Sequence, residues 1–182
     1  MKLSFLLFLL LIIVIILFSN DGLIKTKASN NKIYYTQKHK AEEAANILSI
    51  VDKFKKNLIK YLIKDHPENI KIKKLNREIK IKEIPEKYNK YIGYTINKQT
   101  LYICLRKNQD NFETNMNALY FIVMHELAHV ISTTLGHTRE FWENYKLILR
   151  TGIKHKLYNY KNYYVKPVKY CNKMINSTPY LK

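Results

Sequence analysis

The residues that could do chemistry together are His125-Glu126-Leu127-Ala128-His129. Two histidines four positions apart fall on one face of a helix, one turn from each other, and can reach a single Zn²⁺. Glu126, next to the first histidine, is placed to take a proton from a water that the metal acidifies. The run before it, Met116 to Met124, is apolar on most faces, so this segment is a buried helix. A His-Glu-His cluster in such a helix is expensive without a ligand. A catalytic zinc takes three protein ligands and keeps one position open. The leading third ligand is His137, with Glu140 and Glu143 as alternatives. His137 imposes a condition: a helix running on to Leu135 would carry it about 12 Å further along the axis than His129. The helix must therefore stop near Ser132–Thr134, and Leu135-Gly136 must reverse the chain, which Gly136 permits through a left-handed backbone. His39, His66 and His155 read as surface residues, and Phe141 and Trp142 as packing anchors behind His137.

The elements that must position these residues follow from periodicity. The motif helix starts near Thr114, and a second, amphipathic helix starts near Thr138, with Gly152 as its expected C-cap. Tyr91–Arg106 contains two β-branched and aromatic runs around Asn97-Lys98-Gln99, which predicts a β-hairpin. Ile79–Ile84 alternates apolar and charged residues, as a half-buried strand does. His39–Lys64 carries Ile47, Val51, Phe54, Leu58 and Tyr61 at helical spacing, and Pro67–Arg77 reads as a second, short helix. The chain divides into a signal anchor or transmembrane segment at 1–23, a polar tether at 24–38, a catalytic core at 39–152, and a Tyr/Lys-rich extension at 153–182 packed on that core. Phe5 to Phe18 holds no polar residue, which predicts a single-pass membrane anchor, or a secreted or luminal protein if the segment is cleaved. Cys104 and Cys171 could pair in an oxidising compartment. The Asn176-Ser177-Thr178 sequon is read as a chance occurrence in an Asn-rich chain.

The 182 residues bound one compact domain, and a hydrophobic content of 47% excludes disorder throughout. Two cysteines exclude an all-cysteine metal site. The net charge of +18 invites a nucleic-acid reading, but the basic residues are almost all lysine, with arginine only at positions 77, 106, 139 and 150. Polyanion recognition favours the planar fork of arginine, so nucleic acid is the lesser partner and a protein or peptide substrate the leading one.

The stretch Met124–Trp142, with His125, Glu126, His129, His137 and then Phe141-Trp142, resembles the WLM metallopeptidase domains of the Wss1-like group, related to SprT-like proteins, as found in large DNA viruses of eukaryotes. The strand region Thr95–Arg106 and the tail Pro167–Cys171 resemble the viral members too. The resemblance implies an α+β, zincin-like fold, here a hairpin or small sheet with an HExxH helix and packing helices behind the N-terminal transmembrane helix. It also implies an edge strand beside the motif helix on which a substrate backbone pairs, and peptide-bond hydrolysis with Zn²⁺ on His125, His129 and His137 and Glu126 as base. The expected function is a membrane-anchored zinc metalloendopeptidase. The alternatives are a DNA-associated protease using its basic surface and a non-catalytic membrane protein with a structural zinc. Tyr163, Tyr164, Tyr170 and His155 stand as candidates for an additional electrophile.

Overall fold

In a computed structural model, residues 22–179 are described. Two short strands come first, β1 (Ile24–Lys27) and β2 (Ile33–Thr36). The long helix α1 (Ala41–Asp65) and the single turn α2 (Ile70–Lys73) follow. After β3 (Lys80–Glu83), the hairpin β4 (Gly93–Ile96) and β5 (Thr100–Ile103) leads to helices α3 (Met116–Ile131) and α4 (Arg139–Lys154). A second hairpin, β6 (Val168–Tyr170) and β7 (Lys173–Ile175), lies near the C-terminus.

The main sheet has five strands in the order β1-β2-β3-β5-β4. It is mixed: β2, β3 and β5 run parallel to their neighbours in that series, whereas β1 and β4 pair antiparallel at the two edges. The β4–β5 turn places Asn97 and Lys98 at φ 52° and 54°, the left-handed pair that a two-residue hairpin requires. Helix α1 packs on β1, β2 and β3, helix α3 packs on β4 and β5, and α1, α3 and α4 pack on one another. The core is continuous through these layers, with Leu48, Val51, Leu58 and Leu62 of α1, Leu101 and Ile103 of β5, and Val123 and Leu127 of α3 fully enclosed. The apolar buried positions of α1 recur at helical spacing, as its pattern predicts, but Lys55 is buried with them and pairs with the buried Asp52 at 2.8 Å.

Several expectations need correction. The stretch 24–38, read as a tether, builds β1 and β2, which pair in register from Ile24 with Thr36 to Lys27 with Ile33. Four-residue strands with one or two buried positions leave too short an alternation to read. The fold is a mixed α/β arrangement around a five-stranded sheet, and the α+β, zincin-like class behind a transmembrane helix does not stand. Among the described residues no helix is long and apolar enough to cross a membrane. Helix α1 has the length, at 25 residues, but lysines and acidic residues recur along it, including the buried Asp52 and Lys55. The single-pass location is corrected on the same finding, and the apolar run at 1–21 that prompted it lies outside the described residues. Gly152 is not a cap: α4 continues to Lys154 and His155 is its C-cap. A Cβ at Gly152 would stand 3.1 Å from the sulfur of Met124, so the glycine serves the close approach of α4 to α3.

Candidate active site

The geometry that His137 demands is present. Helix α3 ends at Ile131, and Ser132 leaves it in an extended conformation. Several groups stop the helix there. The Ser132 hydroxyl donates to the Ala128 carbonyl at 2.7 Å and accepts from Asn144 of α4 at 2.9 Å. Lys98, at the β4–β5 turn, donates to the carbonyls of Ser132 and Thr133, placing a cation on the helix C-terminus. Gly136 then reverses the chain at φ 75°, and Thr138 caps α4 by accepting from the Phe141 amide.

The loop between the helices is held by Glu140. Its carboxylate accepts from the amides of Thr133 and Thr134 at 3.0–3.1 Å and from both threonine hydroxyls. Lys71 of α2 pairs with it at 2.9 Å. That lysine first, and then the loop donors, hold the Glu140 carboxyl well below the ordinary carboxylate range. Glu143 pairs with Arg139 at 2.9 Å. Both glutamates considered as third ligands are thus engaged elsewhere.

The structure brings His125, His129 and His137 together, each offering a ring nitrogen within 4.8 Å of the others. The Nε2 atoms of His125 and His137 are 3.0 Å apart. The Phe141 ring lies against all three imidazoles, at centroid distances of 4.8, 4.3 and 4.7 Å. Trp142 lies 5.9 Å from His137, so this aromatic pair is the packing floor of the triad. Burial lowers His125 to about 3, with His129 and His137 adding repulsion between like charges. Burial likewise lowers His129 to about 4, helped by His137 and Lys98. Neutral imidazoles converging on one point are the donor form a transition metal takes, so these residues fit a divalent ion such as zinc. His39 instead meets Asp110, and His155 meets Asp65 and stacks on Tyr61.

Glu126 points to the other side of His125, toward the sheet. It is nearly fully buried, and burial raises its carboxyl to about 7 against the opposing hydrogen bond from Thr95. Thr95 of β4 donates to Oε2 at 2.7 Å. A Cβ at Gly93 would stand 2.8 Å from Oε1, so the strand closes over the carboxylate only because that position is glycine. A cleft of about 530 Å³ opens at His125, Glu126 and His137 between the approach to β4 and the C-terminal hairpin.

Thr95 and Gly93 were not legible as site residues: a threonine and a glycine in a hairpin are ordinary, and only the packing of β4 on α3 gives them a role. The electrophile candidates do not line this cleft. Tyr170 is buried with its hydroxyl on the Cys104 carbonyl at 3.0 Å. Tyr163 packs edge-on against Phe121, and Tyr164 is exposed. The tail is bonded to the domain through a Cys104–Cys171 disulfide.

No family model matches the chain. It is 30% identical over 169 residues to "Uncharacterized protein R325" of Acanthamoeba polyphaga mimivirus, which covers 87% of this chain and 84% of that protein. It is 34% identical over 96 residues to "Uncharacterized protein 136R" of Invertebrate iridescent virus 6, and 34% identical over 80 residues to "Uncharacterized protein 042R" of Invertebrate iridescent virus 3. Each of those two matches covers 49% of the viral protein, and they cover 52% and 44% of this chain. Among solved structures, the crystal structure of Wss1 from Saccharomyces cerevisiae overlaps 63% of this chain and 81% of its own, at a TM-score of 0.45 and 19% identity. With that identity and coverage against the mimivirus protein, the chain belongs to the family of protein R325.

Proposed function

We propose that this chain is a zinc-dependent endopeptidase in which His125, His129 and His137 hold the metal and Glu126 is the general base. One observation carries the reading: three imidazoles, two of them kept uncharged by burial, converge beside a buried carboxyl group that lines a cleft. When bound, zinc supplies Lewis acidity to a peptide carbonyl and lowers the pKa of a water toward neutrality. The chain's own residues do the rest. Glu126, with an affinity for protons near neutrality, takes the proton of the attacking water and delivers it to the leaving nitrogen. Thr95 holds Oε2 by its hydrogen bond, leaving Oε1 for that transfer. Strand β4 is an edge of the sheet and lies on α3, so its outer edge can take an extended peptide backbone beside the histidines.

The test compares wild type with Glu126→Gln on unfolded protein substrates. Turnover is expected to fall by about 10²–10⁴-fold, the scale of a general base, with one zinc retained per chain. Undiminished cleavage by that variant overturns the assignment.

A further inference from the structure

The C-terminal hairpin makes one wall of the cleft. Lys173, Met174 and Ile175 of β7 face Phe121 and Ile122, which lie one turn before His125 on α3. This wall is fixed in place. The hairpin turns through Cys171 and Asn172 at φ 41° and 62°, and Cys171 is bonded to Cys104 just beyond β5. The Cys171 amide donates to Glu113 at 2.8 Å, and the Tyr170 hydroxyl to the Cys104 carbonyl. Ile175 is buried, whereas Met174, also a lining residue, is 55% exposed. The chamber between these side chains is apolar and directly adjoins His125 and Glu126, and the whole cleft, at about 530 Å³, is of ligand-binding size. Lys90 and Lys173 also line it, and the one carboxylate among its lining residues is Glu126, at the bottom.

We propose that this cleft selects peptide segments in which a large apolar side chain is bordered by acidic residues. The apolar side chain enters between Phe121 and Ile122 on one side and Met174 and Ile175 on the other, and the acidic neighbours meet Lys90 and Lys173. The assignment rests on the peptidase reading for the identity of its ligand as a peptide. It commits the C-terminal hairpin, which lies well beyond His137 in the chain, to substrate choice. Met174 supplies adaptable apolar contact, and the lysines supply charge complementarity.

The test measures peptide binding apart from cleavage. The zinc-loaded full chain carrying Glu126→Gln is titrated by fluorescence anisotropy with three peptides of equal length. One has a central leucine between aspartates, one has lysines in place of the aspartates, and one has serine in place of the leucine. The first is expected to bind at least about tenfold more tightly than the other two. Adding Met174→Glu or Lys173→Glu should each weaken its binding by about fivefold or more, with zinc content unchanged. Equal binding of the three peptides, or parent-like binding by both variants, overturns the assignment. The wild-type chain separates this from the peptidase reading. Selective binding without any cleavage contradicts hydrolysis and leaves the selecting wall standing, whereas cleavage of all three peptides with equal binding removes the selecting wall alone.

Discussion

Glu83, the last residue of β3, and Arg106, just beyond β5, are buried together, and His125, Glu126, His129 and His137 cluster toward the end of α3 and in the loop after it. In the first group every polar atom is answered within the protein. Arg106 Nε donates to Glu83 Oε1 at 2.5 Å, its remaining nitrogens donate to Glu83 Oε2, the His39 carbonyl and the Gln109 carbonyl, and Gln37 donates its amide to Glu83. Opposite charges cancel, and the pair ties β3 to the segments on either side of it. In the second group, like donors are turned toward a common point and burial keeps two of them uncharged. Glu126 is held by one side-chain hydrogen bond and sits near neutrality in its proton affinity. A buried polar cluster that cancels itself stabilises a fold, and one that converges without cancelling is arranged for something outside the chain.

Substitutions should separate the two clusters. The largest contrast is between Arg106→Ala and Glu126→Gln. Removing Arg106 strands the Glu83 carboxylate, and urea unfolding should report a loss of about 3–5 kcal/mol. Glu126→Gln should leave unfolding within about 1 kcal/mol of wild type while removing the activity. Equal destabilisation by the two would erase the distinction. The disulfide comes next. It closes a loop of 67 residues, for which chain entropy gives about 4 kcal/mol. Replacing both cysteines by serine should lower stability by an amount of that order, measured by thermal unfolding, with the histidine cluster still able to bind zinc once folded.

These contrasts show what was open to reading in the chain. The motif helix, its necessary stop before Thr134 and the turn at Gly136 were legible because one spacing, His129 to His137, admits few backbone paths. The β4–β5 hairpin was legible from its strand residues and the Asn97-Lys98 turn. Strands β1 and β2 were not: they are four residues each, and β2 is completed by parallel pairing with β3, where Tyr35 meets the sequence-distant Lys82. The Glu83–Arg106 pair and the Cys104–Cys171 bond likewise depend on neighbours supplied by the fold. The β6–β7 hairpin was not legible either: its strands are three residues each, Lys173-Met174-Ile175 does not alternate, and cysteine is an unusual residue at a left-handed turn position.

Smaller effects test how finely the site is held. Thr95→Val removes the hydroxyl on Glu126 and should lower kcat about tenfold, equivalent to about 1.4 kcal/mol, with KM unchanged. Thr95→Ser should restore it, and a KM effect in place of a kcat effect would reassign Thr95 to substrate binding. The smallest effect concerns Glu140. Its carboxyl is depressed in the folded state, so its contribution is present above the ordinary glutamate value of about 4.3 and is lost as pH falls through the lower folded value. The protection of the Thr133 and Thr134 amides, their exchange relative to the unstructured chain at the same pH, should therefore hold from neutrality down to the ordinary carboxylate range and fall only below it. In Glu140→Gln the same amides should exchange faster at neutral pH.

The central claim is that three histidines converge to make one metal centre. Equilibrium zinc titration of the full chain, with elemental analysis of the complex, tests it most directly. The account predicts one zinc per chain in wild type and an affinity at least about 100-fold weaker in each of His125→Ala, His129→Ala and His137→Ala, more than the loss of an outer partner produces. A wild-type chain that takes up no zinc, or a His137→Ala chain that binds it undiminished, would contradict the account.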